Sequence, residues 1–125
     1  MPKKILLVDD EDIIHQSVKR AFEKSPYEFL SAYNGNEAVE KVNQDLPDLV
    51  LLDINMPEKD GYAVVREIRG KKGTRHIPII MLTGLGEVVD KVVGYELGVE
   101  DYMTKPFDVE KLRRHVESFL EKEKQ

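Results

Sequence analysis

Four short apolar runs each end in a residue suited to handling phosphorus or a hard cation. Ile5 to Val8 leads into Asp9 and Asp10, Leu49 to Leu52 into Asp53, Ile79 to Leu82 into Thr83, and the shorter Tyr102 to Thr104 into Lys105. Carboxylates brought together raise one another's pKa and need a counter-charge. A divalent cation or the Lys105 ammonium would supply it. With oxygen donors and neither His nor Cys alongside, the cation suited to the cluster is Mg²⁺, with Mn²⁺ able to take its place. Mg²⁺ keeps several waters and accepts phosphate oxygens. Three acids, a hydroxyl and an ammonium at one place are therefore a set for phosphoryl chemistry.

The set forms only if the four runs are parallel strands whose carboxyl ends share one edge, where open α/β sheets bind ligands. The chain alternates strand and helix five times. Strands are expected at 4–9, 27–33, 49–53, 78–82 and 101–105. Their mostly continuous Ile, Leu and Val content fits a parallel sheet covered on both faces, and the more mixed Tyr27–Tyr33 suits an edge. Helices are expected between them. In the first, at 12–24, Ile14, Val18, Ala21 and Phe22 recur at helical spacing. The second, at 35–44, has Asn34 as N-cap with Glu37 three residues on, a capping-box arrangement. The third, at 60–70, carries Gly61, Val64, Val65 and Ile68 on one stripe. The fourth, at 87–97, is rich in β-branched Val88, Val89, Val92 and Val93, with Gly94 following, so its intrinsic helix propensity is poor. The last, at 108–122, has Asp108 as N-cap and buries Val109, Leu112, Val116 and Phe119 or Leu120. Short loops between alternating units give an α/β fold with a doubly wound five-stranded parallel sheet.

Composition narrows the functional classes. The 125 residues make one domain, and 41% apolar with 34% charged residues fits a soluble globular protein. No apolar run approaches the roughly 20 residues of a membrane-spanning helix, so no membrane partner is expected. Ile5 to Val8 is too short for a signal-peptide core. The absence of cysteine excludes disulfides and thiolate metal sites, and the cytoplasm is the simplest setting. A net charge of −5 argues against direct nucleic-acid binding. Arg113-Arg114, set among Glu110, Glu117 and Glu121, reads as a solvated helix face. His15, His76 and His115 match no metal spacing and read as surface residues. Lys105-Pro106 is a candidate cis peptide.

Val8-Asp9-Asp10-Glu11, Asp53-Ile54-Asn55-Met56-Pro57 with Asp60-Gly61, Leu82-Thr83-Gly84, and Asp101-Tyr102-Met103-Thr104-Lys105-Pro106-Phe107 together resemble the receiver domain of two-component response regulators, chemotaxis-regulator-like and single-domain, over nearly the whole chain, 1–125. The resemblance implies a flavodoxin-like (βα)5 fold with strand order 2-1-3-4-5. It implies that Asp53 is the phosphoacceptor for a phosphohistidine on a sensor histidine kinase or histidine phosphotransfer protein. Asp9, Asp10, Asp53 and the Asn55 backbone carbonyl would hold Mg²⁺, while Lys105 and Thr83 would engage the phosphoryl oxygens. Gly84 would leave the phosphoryl group room, and Met56-Pro57 and Gly61 would shape the turn after Asp53. Thr83 and Tyr102 would form the switch, changing the surface of the fourth helix, fifth strand and fifth helix that meets a downstream protein. The chain would be a phosphorylation-controlled switch with slow self-dephosphorylation, not an enzyme in its own right. Leu85, two residues past Thr83, offers no hydrogen bond to a hydrolytic water, so dephosphorylation is expected to be slower than in Leu85→Glu. Only the charged tail, 121–125, follows the last helix, which fits a stand-alone regulator or a domain cut from a longer protein.

Two other functions would use parts of the same sequence. A haloacid-dehalogenase-like phosphatase also uses an Asp after a strand, and Asp10-Glu11-Asp12 superficially fits its Asp-x-Asp motif, although Ile13-Ile14 do not continue that family's pattern. A nucleotide- or flavin-binding module would use Gly84-Leu85-Gly86, but Val89 stands where a third glycine belongs, and the acidic first loop repels phosphate.

Overall fold

The computed structural model describes residues 2–84 and 96–122. Five parallel strands form one sheet: β1 (Lys4–Val8), β2 (Glu28–Ala32), β3 (Leu49–Asp53), β4 (Ile79–Thr83) and β5 (Asp101–Thr104), in the order β2-β1-β3-β4-β5. This is the doubly wound, flavodoxin-like sheet expected from the sequence. The three central strands are the three with continuous aliphatic runs, and β3 and β4 are buried at every position. The mixed β2 lies at one edge, as its sequence suggests.

Alternation along each strand sorts the side chains to two faces. Leu6, Val8, Val50, Leu52, Ile79 and Met81 point to one face, where they pack against Ala38 and Val42 of α2 (Gly35–Asp45) and Val64, Val65 and Ile68 of α3 (Gly61–Arg69). Ile5, Leu7, Leu49, Leu51, Ile80 and Leu82 point to the other. They meet Val18 of α1 (Asp12–Ala21), the following Phe22, and Leu112, Val116 and Leu120 of the C-terminal helix (Val109–Lys122). Each fully buried Leu, Ile or Val contributes about 1.5–3 kcal/mol, so two aliphatic layers fix which strand lies beside which.

Side chains cap the helices, at Asn34 and Asp108 as the sequence marks and also at Asp60. Asn34 Oδ1 accepts from Glu37 N–H at 2.8 Å, Asp60 Oδ1 from Ala63 N–H at 2.9 Å, and Asp108 Oδ1 from Glu110 N–H at 2.9 Å. All four expected stripe residues of α3 are buried. Leu120 is the buried member of the Phe119/Leu120 pair, and Val109 is half-buried. On the C-terminal helix, Arg113 pairs with Glu110 and Glu117, each at 2.6 Å, on a charged outer face. The helix expected at 12–24 stops at Ala21. Ser25 turns the chain, its N–H and hydroxyl both donating to the Phe22 carbonyl, and Pro26 disfavours a helical Ser25. Most of the helix expected at 87–97, including its four valines, lies outside the described residues, as does Leu85. Leu97 packs against the α2/α3 layer.

Arg69, at the end of α3, ties that layer together. Its guanidinium donates to the carbonyls of Leu97 (3.2 Å), Arg75 (3.0 Å), Ile77 (2.7 Å) and Gly98 (2.8 Å) and to Glu100 Oε1 (3.0 Å). Glu100 Oε1 also accepts from Ile79 N–H at 2.6 Å. A planar fork of five donors can serve several acceptors at once, as an ammonium cannot. The segment entering β5 is thereby held to the end of α3 and the start of β4. Gly98 within it has φ +77°, a conformation glycine adopts without steric cost.

Candidate functional site

Strand register decides what meets at the carboxyl edge. Val8 pairs with both Ala32 and Leu52, Asp53 with Leu82, and Thr83 with Thr104. Asp9, Asp53, Thr83 and Lys105 therefore leave adjacent strands at nearly one level. Backbone bonds carry the pairing past the strand ends: Asp9 N–H donates to Ala32 O (3.1 Å), Ile54 N–H to Leu82 O (3.0 Å) and Lys105 N–H to Thr83 O (2.6 Å).

The three acids come together. One carboxylate oxygen from each of Asp9, Asp10 and Asp53 lies within 4.8 Å of the others. Asp9 is fully buried, Asp53 is 4% exposed, and Asp10 is open to solvent. Lys105 reaches into the group, with Nζ 2.6 Å from Asp9 Oδ2, 3.5 Å from Asp53 Oδ2 and 3.9 Å from Glu11 Oε2. The remaining oxygens brace their own loops: Asp9 Oδ1 accepts from Glu11 N–H (2.9 Å) and Asp53 Oδ1 from Asn55 N–H (3.2 Å).

These surroundings set the charges. Burial first, and then the neighbouring Asp9 carboxylate, push the Asp53 carboxyl up to about 6, against the opposing pull of Lys105 and the Asn55 N–H. Burial alone would lower the Lys105 ammonium, but its bond to Asp9 and the charges of Asp53, Asp9 and Glu11 outweigh that and hold it above its ordinary value. One cation facing three carboxylates leaves the group short of positive charge. A hard divalent ion fits the deficit. The donors are all oxygen, they are close enough to share one ion, and the exposed Asp10 side leaves room for waters.

Thr83 is 5% exposed, and its hydroxyl donates to the Gly84 carbonyl at 3.2 Å. Tyr102 is half-buried against the α2/α3 layer and lines a cavity of about 510 Å³ with Met103, Phe107, Lys111 and His115. The loop from Asp53 to α3 is closed by Gly61 N–H on Ile54 O at 2.8 Å. A Cβ on Gly61 would sit 2.6 Å from the Asp53 carbonyl oxygen and 2.8 Å from Ile54 Cα. Glycine is required there by the backbone's approach, in agreement with the turn role expected of it. Met56, in the same loop, is also buried in the α2/α3 layer. The Lys105–Pro106 bond is cis.

One residue at this edge lies elsewhere than its sequence suggests. His15 is not at the surface but 3% exposed, with Nε2 2.8 Å from the Asp9 carbonyl oxygen and Nδ1 2.9 Å from Ser31 Oγ. Its spacing from Val18 and Phe22, three and seven residues, is the signal that places it on the buried stripe. His76 is exposed, and His115 is half-buried against Asp101.

The family described as the response regulator receiver domain matches residues 5–117. The chain belongs to that family. Among solved structures, it is similar to the receiver domain of a signal transduction histidine kinase from Syntrophus aciditrophicus (37% identity over 95% of this chain and 90% of that one, TM-score 0.85). It is also similar to chemotaxis protein CheY4 of Vibrio cholerae (30% identity, 95% and 99% covered, TM-score 0.86). A third is the receiver domain of sensor histidine kinase PA1611 from Pseudomonas aeruginosa PAO1, solved with a magnesium ion coordinated in its active-site cleft (29% identity, 95% and 98% covered, TM-score 0.83). Membership in a family of signalling switches sets aside the dehalogenase-like and nucleotide-module readings. Among the described residues, no helix is long and apolar enough to cross a membrane.

Proposed function

We propose that this receiver domain accepts a phosphoryl group on Asp53 from a phosphohistidine of a sensor histidine kinase or phosphotransfer protein, and passes the signal on by changing shape. The supporting observation is the convergence of Asp53 with Asp9, Asp10 and Lys105 from three separate strand ends. An Asp53 carboxylate oxygen attacks phosphorus, the P–N bond breaks, and the electron pair leaves with the imidazole nitrogen. Asp9, Asp10, Asp53 and the Asn55 backbone carbonyl would hold Mg²⁺, or Mn²⁺ in its place. When bound, the cation neutralises charge building on the transferred oxygens. Asp53 must be ionised to attack; its carboxyl is held up at about 6 in the metal-free protein, and a bound cation would favour the ionised form. Lys105, fixed by Asp9, presents its ammonium where a phosphoryl oxygen on Asp53 would lie.

The switch follows from the Thr83 hydroxyl. Now donating to the Gly84 carbonyl, it turns to a phosphoryl oxygen, a stronger, charged acceptor. The space it leaves admits the Tyr102 ring. The surface formed by the segment before β5, by β5 and by the C-terminal helix then changes, and a downstream protein reads it. Incubation with radiolabelled acetyl phosphate and Mg²⁺ tests the reading. The chain should take up label as a hydroxylamine-sensitive acyl phosphate, and EDTA should abolish uptake. Equal labelling in EDTA, or a hydroxylamine-resistant product, contradicts it.

A further inference from the structure

The acidic end of β1 has an anchor that the phosphoryl chemistry does not use. His15, in the first turn of α1, is a polar side chain on a stripe otherwise made by Val18 and Phe22. Its Nε2 faces the Asp9 carbonyl oxygen at 2.8 Å. A carbonyl only accepts, so the ring hydrogen belongs on Nε2, and Nδ1 of a neutral ring then takes the Ser31 hydroxyl hydrogen at 2.9 Å. Tyr33 stacks on the ring with centroids 4.1 Å apart and planes 26° from parallel, and its own hydroxyl is fixed on Asp12 Oδ1 at 2.8 Å.

These contacts act on one peptide group. The Asp9–Asp10 peptide is planar, so holding its oxygen fixes the plane from which the Asp10 side chain departs. The peptide before Asp9 is also held, because its N–H donates to Ala32 O. Both peptides flanking Asp9 are thus tied to β2, one directly and the other through His15 and Ser31. Asp10 itself is exposed, and nothing about its own burial restrains where its carboxylate lies.

We propose that His15 is a positioning residue for the cation site: it holds the Asp9–Asp10 peptide so that the Asp10 carboxylate stays within reach of Asp9 and Asp53. The inference rests on the acceptor reading above. Without the imidazole donor, the buried carbonyl turns to find another partner, and Asp10 turns with it. Groups just outside a metal's ligands shift affinity by about 10–100-fold when removed. His15→Leu fills the space without a donor. His15→Gln keeps an amide N–H near the position of Nε2.

Isothermal titration of the full chain with MgCl₂ at pH 7.5 tests this. His15→Leu should weaken Mg²⁺ binding by about tenfold, and His15→Gln should stay within about threefold of wild type. Unchanged affinity in His15→Leu overturns the inference, and so does an equal loss in both variants, which would make the role one of packing alone. Should His15→Leu fail to fold, imidazole ¹⁵N spectra of the wild type decide: a hydrogen on Nε2 is expected, and a bare Nε2 overturns the proposal. A wild-type chain that neither binds Mg²⁺ nor takes up a phosphoryl group overturns the acceptor reading, and this inference with it.

Discussion

Replacing Asp53 by Asn should make the metal-free protein more stable at neutral pH, although it removes the proposed phosphoacceptor. Asp53 is 4% exposed and lies beside a second buried carboxylate. Those surroundings raise its pKa from 3.8 to about 6. A tenfold change in acidity corresponds to about 1.4 kcal/mol between the two protonation states, so ionised Asp53 costs the fold at most about 3 kcal/mol. Asn keeps an oxygen for the Asn55 N–H but gives up the attraction of Lys105, 3.5 Å away, and solvent at the open side of the site screens part of the repulsion. The expected gain is about 1–3 kcal/mol at pH 7.5 in EDTA. Because the folded-state pKa lies above the unfolded one, stability from this group is fully present below about pH 3.8 and is lost as pH rises through about 6. The gap between variant and wild type should therefore be widest above pH 6 and close on acidification. Urea unfolding followed by circular dichroism at several pH values measures it. Asp53→Asn equal to or less stable than wild type at pH 7.5, or a gap that widens in acid, would refute the electrostatic account of the site.

Gly61→Ala should destabilise the fold by about 2–3 kcal/mol in the same assay and disturb the Asp53 loop, because its Cβ would meet the Asp53 carbonyl oxygen at 2.6 Å; a neutral change would mean that the backbone gives way easily. Lys105→Met leaves Asp9 buried without its ammonium, with an expected loss of about 2 kcal/mol at pH 7.5 and a further rise in the Asp53 pKa, read by carboxyl ¹³C titration. Arg69→Lys keeps the charge but cannot serve five acceptors, so a loss of about 2–3 kcal/mol is expected, with faster amide exchange in residues 97–100.

The strand ends were legible in the sequence because continuous aliphatic runs have one comfortable location, the centre of a sheet covered on both faces, and each polar residue closing a run is carried to the same edge by register. The caps at Asn34 and Asp108 were legible because their bonds are local. His15 was missed for a different reason. Apolar type drew attention to Ile14, whereas spacing places His15 with Val18 and Phe22 on the stripe that is buried. Adjacent Ile13 is 65% exposed, so apolar type alone misleads at this turn. The Arg69 cluster was not legible, since its acceptors are backbone carbonyls brought close only by the packing of α3 on β4 and the entry to β5. The burial of Met56 was not legible, because it depends on how the loop closes at Gly61.

Asp53, rather than any neighbouring acid, is expected to carry the phosphoryl group. Treating the chain with acetyl phosphate and Mg²⁺, digesting it rapidly in acid and sequencing the peptides by mass spectrometry tests this directly. A gain of about 80 Da, the mass of one phosphoryl group, is predicted on Asp53 and is expected to be missing from Asp53→Asn. The same gain on Asp9, Asp10 or a histidine, or its persistence in Asp53→Asn, would contradict the account.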